Sequence, residues 1–348
     1  MQIKTTKAAI LTESRKPLVI DDITLPDQLD VGQVLVKVLH STICGAQINE
    51  IGAVKGPDKF LPHLLGHEAS ATVLETGPGV STVKPGDTVV MHWRPSAGIQ
   101  SKPPNYTWDG KKLNAGWVTT FNQYCVVSEN RLTVIGADYD LKVAPLLGCA
   151  VTTAVGVINN DAKVKIGESV VVLGAGGVGL NVLQFAALAG AYPIVAVDII
   201  DAKLDMAHKF GATHTINSKT TADLGAALRD IVGAKGADKV IETTGVKALI
   251  ETGYDVTQPK GTCVLVGVPI EKVTIYSLPL HFKKILTGSE GGDCVPDIDI
   301  PRIIKLDRAG RLSFEGLITH EYPLDQINQA LDQVRSGSAG RVLLNMWD

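Results

Sequence analysis

Aromatic residues make up only 5% of the 348-residue chain, and cysteine is scarcer still: five, at irregular distances. So few and so scattered, the cysteines do not form a disulfide framework, and a reducing cytoplasm is the expected compartment. No block of basic residues occurs. The net charge is −3, from 33 Lys and Arg against 36 Asp and Glu spread along the chain, which argues against nucleic acid or a membrane surface as partner. Nor is there a long apolar run. The most apolar stretch, Leu180 to Val197, is interrupted by Asn181, Gln184, Gly190 and Pro193 and reads as helix, turn and strand rather than a membrane span. The first seven residues, Met1 to Lys7, lack the apolar core of a secretory signal. What remains is an ordinary globular composition, 45% hydrophobic and 20% charged, in a chain long enough for two domains.

The strongest positive signal is Val170-Val171-Val172-Leu173 running into Gly174-Ala175-Gly176-Gly177-Val178-Gly179. Four apolar, mostly β-branched residues read as a buried parallel strand, and an apolar helix pattern, Val178 to Ala189, follows the glycines. In a G-x-G-x-x-G turn the first glycine makes the tight bend. The second admits a pyrophosphate to the backbone, the third lets helix pack on strand, and the helix N-terminus attracts the anion. Asp198 ends the next apolar run, Ile194 to Val197, about 20 residues on, where an acid takes the ribose hydroxyls. An acid there repels a 2′-phosphate, and Ile199-Ile200 offers no arginine to receive one, so NAD is expected over NADP.

From 151 to 290 strands and helices alternate: helix Asp201 to Phe210, strand Thr213 to Ile216, helix Ala222 to Val232, strand Ala237 to Glu242, helix Lys247 to Val256, strand Thr262 to Val266. That alternation predicts a doubly wound parallel sheet covered on both faces. Residues 1–145 differ. Short alternating segments such as Val34 to Val38 and Ala71 to Leu74, punctuated by Gly-Pro-Gly at 77–79 and Lys-Pro-Gly-Asp at 84–87, predict an antiparallel, partly barrelled β domain. A C-terminal helix, Leu324 to Val334, and strand, Arg341 to Met346, return to it. The expected division is 1–150 with 291–348 as one domain and 151–290 as the nucleotide domain, with a ligand cleft between them.

Cys44, His67-Glu68 and Cys149 form the second signal. Two thiolates and an imidazole suit Zn²⁺, with a fourth position left for Glu68, water or substrate, and an open position marks a catalytic site. Taken singly, a cysteine is more often a small buried hydrophobe, as expected for Cys125 and Cys263; Cys294, after Gly291-Gly292-Asp293, is a weaker neighbour of the site.

These blocks together give the chain, over nearly its full length, a resemblance to the zinc-dependent medium-chain alcohol dehydrogenases. It runs through Cys44-Gly45, Gly66-His67-Glu68 to Gly77, Pro85 to Val90, Gly148-Cys149, the glycine fingerprint, Val264 to Pro269 and Gly340-Arg341. The resemblance implies a GroES-like catalytic domain joined to a Rossmann domain. It implies Cys44, His67 and Cys149 as zinc ligands, and Glu68 as a carboxylate able to exchange onto the metal. Asp198 and Lys203 would contact the adenosine ribose. Thr153 and Thr244 would lie on the nicotinamide side, Val266 and Val268 would hold the carboxamide by backbone, and Arg341 would approach the pyrophosphate. The implied reaction is hydride transfer between NAD(H) and an alcohol and its aldehyde or ketone, with zinc as Lewis acid. Homodimers or homotetramers are implied, with Val273 to Leu280 as an edge that pairs across a two-fold.

The chain departs from the family in four places. Residues 92–120 contain no cysteine where relatives often carry four, so one zinc per chain and no structural zinc is expected. Three of the four tryptophans, Trp93, Trp108 and Trp117, fall in that loop. It reads either as a solvated loop anchored by its aromatics or as a substrate lid or subunit contact, with Trp93 as pocket wall. Ala46 replaces the hydroxyl that starts the family's proton relay, for which Asn49, His63, His92 and Glu68 are candidate replacements. Gln47 stands where an aspartate commonly orients the zinc-bound imidazole, and Ala71 replaces a glycine. Arg94 and the lysines of 102–112 allow a polar substrate, such as a polyol or sugar-derived alcohol. Two other readings are a zinc-free medium-chain reductase of activated double bonds and a cofactor-binding relative without turnover.

Overall fold

A computed structural model describes residues 1–347, which divide into two compact units. The first holds 1–149, 295–305 and the chain from 314 onward; the second holds 150–294 and 306–313. No helix among the described residues is long and apolar enough to cross a membrane.

The first unit is built on the strand Gln33–Ile43, which pairs antiparallel with Ala69–Thr76, Tyr124–Ser128 and Arg341–Asn345. Alternation along it sends Val34, Val36 and Val38 into one core, with Ala71, Val73, Val127 and Leu344, while Leu35 joins a second core with Ile10, Ile23 and Tyr106. A second sheet orders His63–Leu64, Thr5–Leu11, Val19–Thr24, Tyr106–Trp108 and Lys111–Leu113. Its last two strands revise the reading of 92–120 as loop alone. Asp109 and Gly110, both at positive φ, close a two-residue hairpin there, and Trp108 Nε1 donates to Asp21 Oδ2 at 2.9 Å.

The second unit is an all-parallel six-stranded sheet. In the unit's own chain order its strands lie third, second, first, fourth, fifth, sixth. The first, Val170–Leu173, is central and fully buried, as its β-branched run requires. The order reverses beside it, and Gly174 leaves its C-terminal end at that point, where such sheets place their ligands. Val273–Leu280 is not a strand. Pro279 lacks an N–H for a ladder and sits in the helical turn Leu278–Phe282; the edge strand on this side of the sheet is Ile285–Gly288.

Candidate active site

Cys44 caps the short helix Gly45–Ile51 at the end of the central strand of the first unit. His67 follows Gly66, whose φ of +89° and whose approach to Thr120 and Phe121 leave no room for a side chain. Cys149 follows the turn Ala144–Gly148, and a Cβ at Gly148 would stand 2.3 Å from the Met91 carbonyl and 3.0 Å from Glu68 Cβ. Glycine there lets the turn press against the His67-Glu68 segment. The result is a cluster of Cys44, His67 and Cys149 whose ligand atoms all lie within 4.8 Å of one another. His67 Nε2 is buried without a hydrogen-bond partner, an orphan that a metal would satisfy. Two sulfurs and one ring nitrogen are a zinc donor set.

The charges support one another. Interaction with the Cys149 thiol holds Cys44 well below the ordinary thiol range, against the effect of burial, with His67 and Arg341 adding to it. The proton this leaves on Cys149 goes with a value raised well above that range. Burial opposes a charged His67 ring, but the neighbouring Cys44 sulfur outweighs it and the value rises. Burial also raises Glu68, with Arg341 opposing. Glu68 Oε1 meets Arg341 Nη1 at 3.3 Å, both side chains nearly or fully buried, while Glu68 Oε2 and Arg341 Nε and Nη2 have no partner. Glu68 stands outside the three-residue cluster. Gln47 does not turn its carbonyl toward the ring. Its Oε1 accepts the Cys44 N–H at 2.9 Å, so the imidazole Nδ1 faces its amide nitrogen rather than its carbonyl.

In the second unit, Gly174 takes φ +98°, and a Cβ there would meet Thr243 and Thr244 at 2.6 Å. A Cβ at Gly179 would fall 1.8 Å from the Gly174 carbonyl. Gly176 instead borders open space, at the start of a helix, Gly177–Leu188, that no side chain caps. Val178 sits in that first turn. A bare helix N-terminus with room above it fits a dinucleotide pyrophosphate. Asp198 ends its strand and accepts from the N–H groups of Ala175, Ile199 and Ile200, which ties its carboxylate to the glycine turn. Lys203 lies on the following helix, Asp201–Lys209. Thr153 is buried on Ala150–Gly156. Thr244 donates its hydroxyl and its N–H to the buried Glu242 carboxylate. The Val266 N–H is taken by the Glu242 carbonyl, and Val268 is exposed.

Residues 30–137 match the alcohol dehydrogenase GroES-like domain and residues 177–304 the zinc-binding dehydrogenase domain. The chain is 30% identical to alcohol dehydrogenase class-P of Arabidopsis thaliana, over 99% of this chain and 98% of that protein. The chain belongs to the zinc-dependent medium-chain alcohol dehydrogenases. Similar solved structures include an alcohol dehydrogenase zinc-binding domain protein from Burkholderia ambifaria, with TM-score 0.90 and 28% identity over 99% of this chain and 100% of that one. Benzyl alcohol dehydrogenase from Acinetobacter calcoaceticus has TM-score 0.89 and 27% identity, with the same coverage. The protein is thus an NAD-dependent alcohol dehydrogenase-type oxidoreductase, acting on small-molecule alcohols and carbonyls.

A cavity of about 650 Å³ in the dehydrogenase's first unit has His67 and Gln47 in its lining. Phe60 and Trp117 supply apolar wall, and Glu50, Lys112, Asn114 and an Asp58–His63 pair at 2.8 Å supply polar groups. Trp93 and Asn49 do not line it. Trp93 lies under the Arg94 guanidinium, and Asn49 sits on the helix beside Gln47. Of the relay candidates, His92 is fully buried between the Arg94 carbonyl and Thr133, and His63 lines the cavity. Asp58 and Glu50 escaped the sequence reading as cavity residues, and Trp117 entered it only within the lid reading of 92–120, because no spacing rule joins 50–60 to 112–117; the fold alone does.

Proposed function

We propose that this dehydrogenase holds a single catalytic zinc on Cys44, His67 and Cys149, and oxidises a polar alcohol, of polyol or sugar type, with NAD in preference to NADP. The Cys44–His67–Cys149 cluster, with its orphaned ring nitrogen, carries this reading. When bound, zinc supplies Lewis acidity toward the substrate oxygen and NAD accepts the hydride. The chain's own residues do the rest. The uncapped helix N-terminus at Gly176-Gly177 receives the pyrophosphate. Asp198 takes the ribose and disfavours a 2′-phosphate; Thr153, Thr244, Val266 and Val268 border the nicotinamide. The polar groups of the cavity beside His67 support a substrate bearing further hydroxyls. Glu68, paired with Arg341, stands in reserve as a fourth ligand. A homo-oligomer, dimer or tetramer, fits the exposed apolar residues beside the edge strand of the second unit, and the few, scattered cysteines fit a reducing cytoplasm.

The test combines metal analysis, NADH titration and a panel of simple alcohols, polyols and sugars read by NAD reduction. Wild type should carry one zinc per chain and reduce NAD with a hydroxylated substrate. Cys44→Ala should lose the zinc and at least about 10³-fold in activity while NADH binding persists. A zinc-free wild type that oxidises none of these alcohols but oxidises NADH with an activated double bond would support the zinc-free reductase instead, and absence of turnover with either kind of substrate would support the non-catalytic reading.

A further inference from the structure

The amide of Gln47 touches two of the three cluster residues. A backbone N–H can only donate, so the 2.9 Å bond from Cys44 N–H fixes the oxygen of the amide on that side. The NH₂ group, two donors and no acceptor, is left facing His67 Nδ1. The other ring nitrogen, Nε2, is the buried one without a partner.

To ligate a metal through Nε2, a neutral imidazole must carry its hydrogen on Nδ1. There the N–H meets the NH₂ of Gln47, donor against donor. Turning the amide by half a revolution offers its carbonyl to Nδ1–H but sets the NH₂ against the Cys44 N–H, which again opposes two donors. One amide oxygen stands between two donors, and both belong to cluster residues. A carboxylate in the same place has an acceptor for each.

Resting on the zinc reading above, we propose that Gln47 is a positioning residue that keeps this zinc exchangeable, by denying His67 Nδ1–H an acceptor so long as the Cys44 N–H holds the amide oxygen. The side chain of Gln47→Glu has the same length and retains an acceptor for the cap, so the helix start is preserved.

Zinc release from the full-length protein to the chromogenic chelator 4-(2-pyridylazo)resorcinol tests this, with competition titrations for the dissociation constant. Gln47→Glu should bind zinc about 10–100-fold more tightly than wild type and release it correspondingly more slowly. The melting temperatures of the zinc-free forms should agree, which separates metal orientation from a general gain in stability. Equal or weaker binding in Gln47→Glu overturns the proposal while leaving the zinc site in place. So does an equal gain in Asn49→Asp, which adds the same charge to the same helix away from the amide. Wild type that binds no zinc removes the underlying reading itself.

Discussion

His92 is fully buried, its ring held between the Arg94 carbonyl and the Thr133 hydroxyl. Burial disfavours the charged ring and lowers its value from 6.5 to about 4. The folded form therefore resists a proton that the unfolded chain accepts below 6.5. Its contribution is complete above that pH and is lost as pH falls from 6.5 toward 4, amounting to about 3 kcal/mol. Denaturant titrations from pH 7 to 4 should show stability falling across this window. His92→Asn should be less stable at pH 7 but show a shallower decline; an equal slope would mean that other groups drive acid unfolding. Burial alone does not separate the two histidines: His63 is buried too, its ring between the Leu64 carbonyl and Asp58, yet it lines the cavity and His92 does not. A histidine in a sequence carries no mark of whether it partners a hydroxyl, as His92 does with Thr133, or a carboxylate, as His63 does with Asp58.

At the scale of elements, the segment 92–120 has to hold its course without cysteine. Glu129 does much of this. Its fully buried carboxylate accepts from the N–H groups of Ser81, Thr82 and Ile99 at 2.7–2.8 Å and from the Thr82 hydroxyl at 3.0 Å. Burial opposes the charge, but these donors outweigh it and hold the carboxyl below its usual value, so this support is present above that value and fades as pH falls through the depressed one. Arg131 adds bonds to the Trp93 carbonyl and to Gln100 and lies over the Trp117 ring. Glu129→Gln puts an NH₂ where an oxygen receives N–H groups and should cost about 2–3 kcal/mol at pH 7, read by denaturant unfolding, with zinc content unchanged. A loss under about 0.5 kcal/mol would show that the tryptophans anchor the loop instead. The glycine fingerprint was legible because Gly174 and Gly179 answer local steric demands and Gly176 leaves open space at a helix start, and the Cys/His/Cys set because few chemistries need those residues. The 106–113 hairpin was masked, although Asp109-Gly110 is a strong turn signal, because prolines and lysines crowd around it. Glu129 left no trace in the sequence: its partners lie 30 and about 48 residues away and donate mostly from backbone N–H groups.

For the whole molecule, the question is what covers the outer edge of the six-stranded sheet. Ile285–Gly288 pairs on one side with Thr257–Leu265 and lies at the end of the strand order. Around it the chain exposes Tyr276 at 71% and Phe282 at 65%, with Leu278, Leu280 and Ile285 also exposed. An open strand edge invites pairing with another chain, and so many exposed apolar side chains in one short segment mark an interaction surface. A second copy meeting this edge about a two-fold would pair the strands and bury the segment on both copies at once. The edge strand rather than 273–280 would then make the backbone contact, with Phe282 and Tyr276 packing beside it. Light scattering after gel filtration should return at least twice the chain mass of 36.9 kDa at micromolar protein. Phe282→Glu with Leu280→Glu should shift that mass toward one chain while NADH binding is retained, since neither residue borders the glycine turn. A wild type that runs as a single chain would end the reading. An unchanged oligomer in the double variant would move the interface to another face.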